Sequence, residues 1–123
     1  MTGVVYIDLA KAFDTVSHSI LLEKLDQYGI SGTPNDWFAS YLFGQYIQVN
    51  HNVLSDSEPV YCGVPQGSIL GPLLFLIHFN GIHDCVNNSE IITYADDTVI
   101  FISNKNKSVI EKNLQKDLEC MSR

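Results

Sequence analysis

Hydrophobic and polar residues alternate along this chain in stretches whose spacing changes from strand-like to helix-like and back. The apolar run 4–7 is β-prone and ends at Asp8, which predicts a buried strand with a carboxylate at its end. Helical spacing predicts a helix over 19–28 that Gly29 ends, and a second helix with Thr33 as its N-cap. The second helix is expected to bury four side chains: Trp37, Phe38, Tyr41 and Leu42.

The middle of the chain has the pattern of a hairpin followed by a loop and a buried helix. Apolar and polar residues alternate strictly over 47–53, which predicts a half-exposed strand that returns through a turn at 55–59. The segment 63–68 contains two glycines and a proline and predicts a loop. The apolar segment 73–82 predicts a largely buried helix.

Two adjacent carboxylates lie between the last two β-rich runs, 91–94 and 98–102. The simplest arrangement of these runs is a tight hairpin with Asp96 and Asp97 at its tip.

The C-terminal segment predicts a helix from about Ser108, with Ser108 and Glu111 in a Ser-x-x-Glu capping box. Its apolar residues recur at helical spacing: Ile110, Leu114, Leu118 and Met121. Strands and helices in this order predict an α+β fold, with an antiparallel sheet and helices packed on one face. No repeat or linker divides residues 1–123, so a single domain is expected.

Composition excludes several classes of protein. Hydrophobic residues make up 46% of the chain, which is enough for a core and excludes intrinsic disorder. The sequence contains neither a membrane-length apolar run nor a signal-peptide pattern, so we expect no membrane association. Three cysteines without CxxC spacing predict reduced thiols and an intracellular location, in the nucleus or the cytoplasm.

Acidic residues dominate the charge of the chain, with fourteen Asp and Glu against seven Lys and Arg. No Lys or Arg occurs between Lys24 and Lys105, so Asp96 and Asp97 lack a basic partner nearby in sequence. Carboxylates that meet without basic partners repel one another unless a divalent cation lies between them. The acidity therefore fits a metal site better than it fits a phosphate-binding groove, which should be positive.

Asp8, Asp96 and Asp97 are the candidate ligands of such a metal site, because all three follow or separate apolar strands. Mg²⁺ prefers oxygen ligands, and two ions about 3.5–4 Å apart can catalyse phosphoryl transfer. An ordinary alternative is that Asp96 and Asp97 form a solvated turn and Asp8 caps the segment after its strand.

Three sequence blocks carry a more specific signal. Residues 6–16, YIDLAKAFDTV, closely resemble motif A of reverse transcriptases, and residues 63–75, GVPQGSILGPLLF, are similar to their motif B. Residues 94–97, YADD, resemble motif C, and the order and spacing also match over nearly the whole chain. AFDTV followed by His18, and the segment 21–30, resemble the non-LTR retrotransposon group (LINE-like, jockey-like) in particular. The resemblance implies a polymerase palm.

The implied activity is RNA-directed DNA polymerase, with two-metal nucleotidyl transfer from a dNTP to a primer 3′-hydroxyl. By the match, Asp8 bridges both metals, the carbonyl of Leu9 adds a ligand, and Asp96 and Asp97 complete the set. Asp96 is then the closer ligand, and Asp97 lies nearer the primer end. The expected cofactor is a pair of Mg²⁺ ions, with Mn²⁺ as a substitute.

The resemblance also assigns residues to the nucleotide. Phe13 matches the aromatic under the incoming sugar that excludes a 2′-hydroxyl, and Gln66 and Gly67 match the loop that lines the nucleotide pocket. Tyr94 is expected beside the primer terminus. Without the family resemblance, Phe13 could equally be an ordinary core aromatic, and Tyr94 could be a plain strand aromatic. The loop that contains Gln66 and Gly67 could then be only a turn that leads into a helix.

Other polar residues receive structural roles at this stage. Asp14 is not a ligand by the match and is expected to cap a helix. The spacing of His78, His83 and Cys85 fits no standard zinc pattern, so packing is their expected role. Gln45 stands where the family usually has an Arg, which puts one template or structural contact in doubt.

The resemblance implies that residues 1–123 are a partial reverse transcriptase domain, the palm core without fingers, late palm motifs and thumb. Expected partners are an RNA template, a DNA primer, dNTP and those remaining parts, and the chain alone should have little or no polymerase activity. A non-catalytic remnant or domesticated palm that acts by interaction is the alternative. A viral RNA-dependent RNA polymerase is disfavoured by Ala95 and Phe13.

Overall fold

The computed structural model describes residues 1–122 and divides them into two compact units. Unit 1 contains Met1–Ala10 and the chain from Phe79 onward, and unit 2 contains Lys11–His78. Strands and helices are present in both units, as predicted for an α+β chain. Among the described residues, no helix is both long enough and apolar enough to cross a membrane.

Unit 1 is built around a three-stranded antiparallel sheet. Its elements are β1 (Thr2–Ile7), a 3₁₀ helix (Asn80–Cys85), β6 (Glu90–Tyr94), β7 (Asp97–Ser103) and α4 (Lys107–Met121). The strand order is β1-β7-β6, so β7 is central. Helix α4 packs on one face of the sheet, where Ile110 and Leu114 meet the buried Ile100. A Cβ at Gly3 would overlap the Ile110 side chain, so α4 lies very close to β1.

The hairpin predicted around the paired carboxylates is confirmed. β6 pairs with β7 in a register that ends with Tyr94 opposite Asp97, and only Ala95 and Asp96 connect the two strands. The apolar stripe predicted for α4 is also confirmed, because all its members face the core.

The predicted capping box of α4 is wrong. The helix begins at Lys107, and the Asn106 side chain accepts a hydrogen bond of 3.0 Å from the Ser108 backbone N–H. Glu111 instead forms an exposed ion pair with Lys107, at 3.5 Å. Asn is as good an N-cap as Ser, and Asn106 takes this role because it directly precedes the first turn of α4.

A buried carboxylate in α4, Asp117, was not predicted. Its side chain is 1% exposed and accepts hydrogen bonds from the backbone N–H groups of Asn87 and Asn88 and from the Asn88 side chain at 2.8 Å. Burial by itself would raise the pKa of Asp117, but the hydrogen bonds from Asn88 and Asn87 outweigh it and hold the pKa below its ordinary value. Asp117 therefore ties α4 to the segment that leads into β6.

Unit 2 is a pair of helices, two short hairpin ladders and a third helix. Its elements are α1 (His18–Gln27), α2 (Thr33–Phe43), β2 (Tyr46–Ile47), β3 (Asn50–His51), β4 (Val53–Leu54), β5 (Glu58–Pro59) and α3 (Leu70–Phe79), whose last residue belongs to unit 1. Both predicted helices in the first half are confirmed within one or two residues. Gly29 follows α1 at a φ of 88°, in the left-handed region that glycine adopts without cost.

Helix α2 differs from its prediction in its cap and in its buried face. Its N-cap residue is Gly32, and Thr33 is already helical. Only Leu42 is buried, whereas Trp37 is 54% exposed and stacks on Tyr41 with ring centroids 5.5 Å apart. Aromatic side chains one helical turn apart can pack on each other without entering the core.

The single strand predicted over 47–53 is wrong. Asn52 adopts a φ of 66° and turns the chain, so that β3 pairs with β4 and β2 pairs with β5. Asn tolerates this left-handed conformation better than other non-glycine residues. The strand residues of this hairpin are exposed apart from Pro59, so the expected half-buried face is also wrong.

Helix α3 begins three residues before its predicted start. The Ser68 hydroxyl accepts a hydrogen bond of 2.9 Å from the Gly71 backbone N–H, as an N-cap does, and Pro72 is tolerated because it lies in the first turn. The predicted helical pattern up to Ile82 continues beyond α3 as the 3₁₀ helix.

We expect Asp117→Ala to lower the free energy of unfolding by about 2 kcal/mol at pH 7, because it leaves buried N–H groups without an acceptor. Since the folded pKa of Asp117 lies below the unfolded value, its stabilisation is complete above about pH 4 and is lost as pH falls through the folded pKa. Urea unfolding at neutral and acidic pH measures both effects.

Glu111→Ala is the matched control, because it removes an exposed carboxylate from the same helix and should cost less than about 0.5 kcal/mol. Equal losses for the two variants, or a loss at Asp117 that does not shrink in acid, would contradict this account.

Candidate active site

Two of the predicted carboxylates lie side by side at one end of the unit 1 sheet. Ile7, the last residue of β1, pairs with Thr98 of β7. Asp8 follows Ile7 and Asp97 precedes Thr98, so the antiparallel register places them opposite each other. Both line a cavity of about 430 Å³, together with Tyr6, Ile7, Thr98 and Val99. Its volume lies within the range of about 300–1,000 Å³ that is common for ligand sites.

The third carboxylate, Asp96, lies in the connection between β6 and β7 and is half-buried. Ala95 before it has a φ of 53°, a left-handed conformation that is strained for a residue with a Cβ. Strain of this kind is frequent at functional sites. Within residues 1–122, no group of three or more His, Cys, Asp or Glu side chains is arranged to hold a metal ion. The structure therefore brings Asp8 and Asp97 together but does not gather Asp96 with them into a ligand cluster.

The electrostatics of the Asp8–Asp97 pair are unfavourable without a cation. Opposed residues of an antiparallel pair have Cβ atoms about 4.5–5.5 Å apart, and like charges in that position destabilise the sheet. Within the described chain, neither carboxylate forms an ion pair with Lys or Arg, and both are exposed. Exposed carboxylate oxygens without basic partners are the donor set that suits Mg²⁺. The pair is therefore not a complete ligand cluster, but its oxygen donors are of the type that a divalent ion prefers.

Leu9 and Tyr94 flank these carboxylates. Leu9 is half-buried and lies after the end of β1, where its backbone is outside the strand pairing. Tyr94 ends β6 opposite Asp97, and its side chain is 83% exposed. Tyr94 is thus an exposed aromatic at the end of a strand, and its place beside a primer terminus stays a prediction.

The other predicted site residues meet in unit 2. Phe13, Gln66 and Gly67 line one cavity of about 220 Å³ with Pro72. The Phe13 ring stacks on Phe75 of α3, with ring centroids 4.4 Å apart and an angle of 23° between the planes. Phe13 thus packs on Phe75 and also lines a cavity, and its place beneath an incoming sugar stays a prediction.

Asp14 does not cap a helix, contrary to the prediction. The N-cap residue of α1 is Ser17, and the Asp14 carboxylate accepts a hydrogen bond of 3.1 Å from the Gln66 side-chain amide. His18, noted in the sequence only as part of a family pattern, is buried and contacts the Gly63 carbonyl oxygen through Nε2 at 2.7 Å. No local signal could have found either contact, because the partners are 52 and 45 positions apart.

Comparison with known proteins places this arrangement in a family. The family described as "Reverse transcriptase (RNA-dependent DNA polymerase)" matches residues 1–123. The chain belongs to the reverse transcriptase family.

Among curated proteins, the relatives of this reverse transcriptase chain include three from Drosophila melanogaster. The probable RNA-directed DNA polymerase from transposon X-element is 34% identical over 77% of this chain. The probable RNA-directed DNA polymerase from transposon BS is 31% identical over 98% of this chain, and the RNA-directed DNA polymerase from mobile element jockey is 31% identical over 93%. The chain spans only 11%, 14% and 13% of the length of these proteins, respectively.

These relatives are named as polymerases of transposons and mobile elements, which agrees with the non-LTR character inferred from the sequence.

The histidines and the cysteine considered for zinc have other surroundings in the structure. His83 Nε2 lies 3.5 Å from the Thr93 hydroxyl, and Cys85 Sγ lies 3.8 Å from the Cys120 carbonyl oxygen. The pKa of His78 is held below its ordinary value, mainly by burial and to a smaller extent by the positive charge of Lys24.

The motif B glycines allow a matched test of the loop. Gly63 and Gly67 have similar φ values of 89° and 77°, but a Cβ at Gly63 would lie 2.9 Å from backbone atoms of Asp14, whereas a Cβ at Gly67 would meet nothing within 4 Å. We expect Gly63→Ala to cost about 2–4 kcal/mol of stability, from backbone strain and overlap, and Gly67→Ala only about 1 kcal/mol, from strain alone.

Urea unfolding of the two variants provides the measurement. Losses of the same size at both positions would show that the motif B loop does not pack on the Asp14 backbone as described.

Proposed function

We propose that this chain is the catalytic palm of an RNA-directed DNA polymerase, which transfers a nucleotide from a dNTP to a primer 3′-hydroxyl on an RNA template. The observation that carries the proposal is the β1–β7 register, which sets Asp8 and Asp97 side by side at a solvent-open cavity. Membership of the reverse transcriptase family supports the same reaction.

Reverse transcriptases as a family use divalent metal ions. In this chain, Asp8, Asp96, Asp97 and the Leu9 carbonyl would hold two Mg²⁺ ions, or Mn²⁺ in their place. When bound, such ions lower the pKa of the attacking hydroxyl and neutralise charge on the leaving pyrophosphate. The contribution of the chain is a paired sheet end that sets the backbone positions of Asp8 and Asp97 before the nucleotide arrives.

Substrate selection belongs to the cavity in unit 2. Phe13 is fixed against Phe75, and a rigid ring beneath the incoming sugar excludes a 2′-hydroxyl, so deoxynucleotides are the proposed substrate. Gly67 lacks a side chain at an open position of the loop and lets the backbone approach the substrate. Tyr94 is proposed to contact the primer terminus from the open face of its strand.

The negative net charge indicates that this chain does not bind nucleic acid by itself. A surface that grips phosphates is positive, and this chain carries a formal net charge of −7. We propose that further segments of an intracellular polymerase, namely fingers, late palm motifs and thumb, supply the missing cations. The RNA template and DNA primer would bind across that larger assembly.

Metal binding is the direct test of the proposed site. We expect Mg²⁺ or Mn²⁺ to raise the melting temperature of the chain, since ligand at a hundred times its Kd stabilises by about 2.7 kcal/mol. The rise should be lost in Asp8→Asn and in Asp97→Asn, each of which should also raise the metal-free stability by removing like-charge repulsion.

Asp84→Asn is the control, because Asp84 is an exposed carboxylate of the same unit that does not line the cavity. A metal response that survives in the Asp8 and Asp97 variants, or no response in the wild-type chain, would contradict the polymerase proposal and favour a palm that acts only by interaction.

We also expect the 123-residue chain to give no more primer extension than its Asp97→Asn variant, because it lacks the cations that a primer–template requires. A gel assay with RNA template, DNA primer, dNTP and Mg²⁺ measures this. Robust synthesis by the wild-type chain alone would refute the need for further segments.

A further inference from the structure

The end of motif A and the start of the motif B loop are joined by backbone hydrogen bonds in unit 2. The Gly63 backbone N–H donates to the Val16 carbonyl oxygen, and the Val64 N–H donates to the Phe13 carbonyl oxygen, both at 2.8 Å. Ser17 and Cys62 form an antiparallel bridge beside these bonds. We call residues 13–18 and 62–66 the A–B junction.

The first half of the A–B junction is rigid for steric reasons. Val16, His18 and Val64 are buried, and His18 is only 3% exposed. At Gly63 a side chain would overlap the Asp14 backbone, so the two segments are in direct backbone contact. The start of the loop therefore has a fixed position relative to Phe13.

The second half of the junction is held differently. Beyond Pro65 the loop is exposed, and Gln66 is anchored there by its hydrogen bond to the Asp14 carboxylate. An unanchored glutamine on a surface populates many rotamers. The bond to Asp14 uses one N–H of Nε2, and no described residue donates to the amide oxygen of Gln66. Gln66 lines the same cavity as Phe13, Gly67 and Pro72.

This contact has little value for stability. Both side chains are exposed, and exposed polar pairs contribute little because water replaces them at almost no cost. Asp14 also has no cap to form, since α1 begins after Ser17. What the contact does fix is the direction of the Gln66 carboxamide.

We propose that Asp14 is a positioning residue that orients the Gln66 carboxamide toward the nucleotide cavity. The inference rests on the proposed function, because it assigns the cavity to the incoming nucleotide. The role of Asp14 is then to orient Gln66, and not to bind metal or to cap a helix.

The test compares Asp14→Ala with Asp14→Asn in the 123-residue chain by ¹⁵N NMR. In Asp14→Ala the Gln66 side-chain amide should shift toward the position of a free glutamine. Asp14→Asn should restore its wild-type position, because the Asn oxygen can still accept the bond. Titration with dGTP and Mg²⁺, followed on the Gly67 backbone amide, should show an affinity about three- to tenfold weaker in Asp14→Ala and near wild type in Asp14→Asn.

Asp56→Ala removes another exposed carboxylate of unit 2 and should leave both readouts unchanged. A Gln66 signal that does not respond to Asp14→Ala, or dGTP affinity equal to wild type in that variant, would overturn the inference. If dGTP perturbs no signal in the wild-type chain, nucleotide binding at this cavity requires the further segments of the polymerase, and the Gln66 amide with its rescue by Asn decides the positioning role by itself.

Discussion

The antiparallel pairing of β1 with β7 is the constraint on which the carboxylate site depends. Six residue pairs, from Thr2 with Ser103 to Ile7 with Thr98, fix the register. A slip of one residue would turn Ile100 out of the core and move Asp97 to the other face of the sheet. Burial of Ile100 against α4 therefore holds the register that sets Asp8 opposite Asp97.

The residues that line the cavity of unit 2 are positioned by a different kind of interaction. Phe13 is set by ring stacking on Phe75 and by its backbone bond to Val64. Gln66 depends on one exposed hydrogen bond to Asp14. Packing and buried backbone bonds hold the aromatic ring, whereas a single exposed hydrogen bond orients the polar side chain.

The acidic residues differ in how their surroundings balance their charge. Asp117 is the most buried carboxylate, yet neutral amide donors from Asn87 and Asn88 satisfy it. Asp8 and Asp97 are exposed, receive no such hydrogen bond from residues 1–122, and face each other across a strand pair. The neighbours of a carboxylate, and not its depth, decide whether it needs a cation.

Much of the fold was predictable because it depends on short-range chemistry. Helical spacing located α1 and α4, alternating β-rich runs located the β6–β7 hairpin, and the motif residues Asp8, Phe13 and Gln66 were assigned roles from the chain alone. Two helix N-caps lie one or two residues from their predicted positions. Asn52 interrupts a strand that the alternation predicted as continuous, because a left-handed turn does not change hydrophobic periodicity. Only the tertiary structure could reveal the contacts of Asp117 and Asp14, whose partners are 29 and 52 positions away. The sequence by itself determined the family and the motif residues that are candidates for the chemistry. Their partners were decided by packing, since a hydrogen bond between distant segments forms only after the core has brought those segments together.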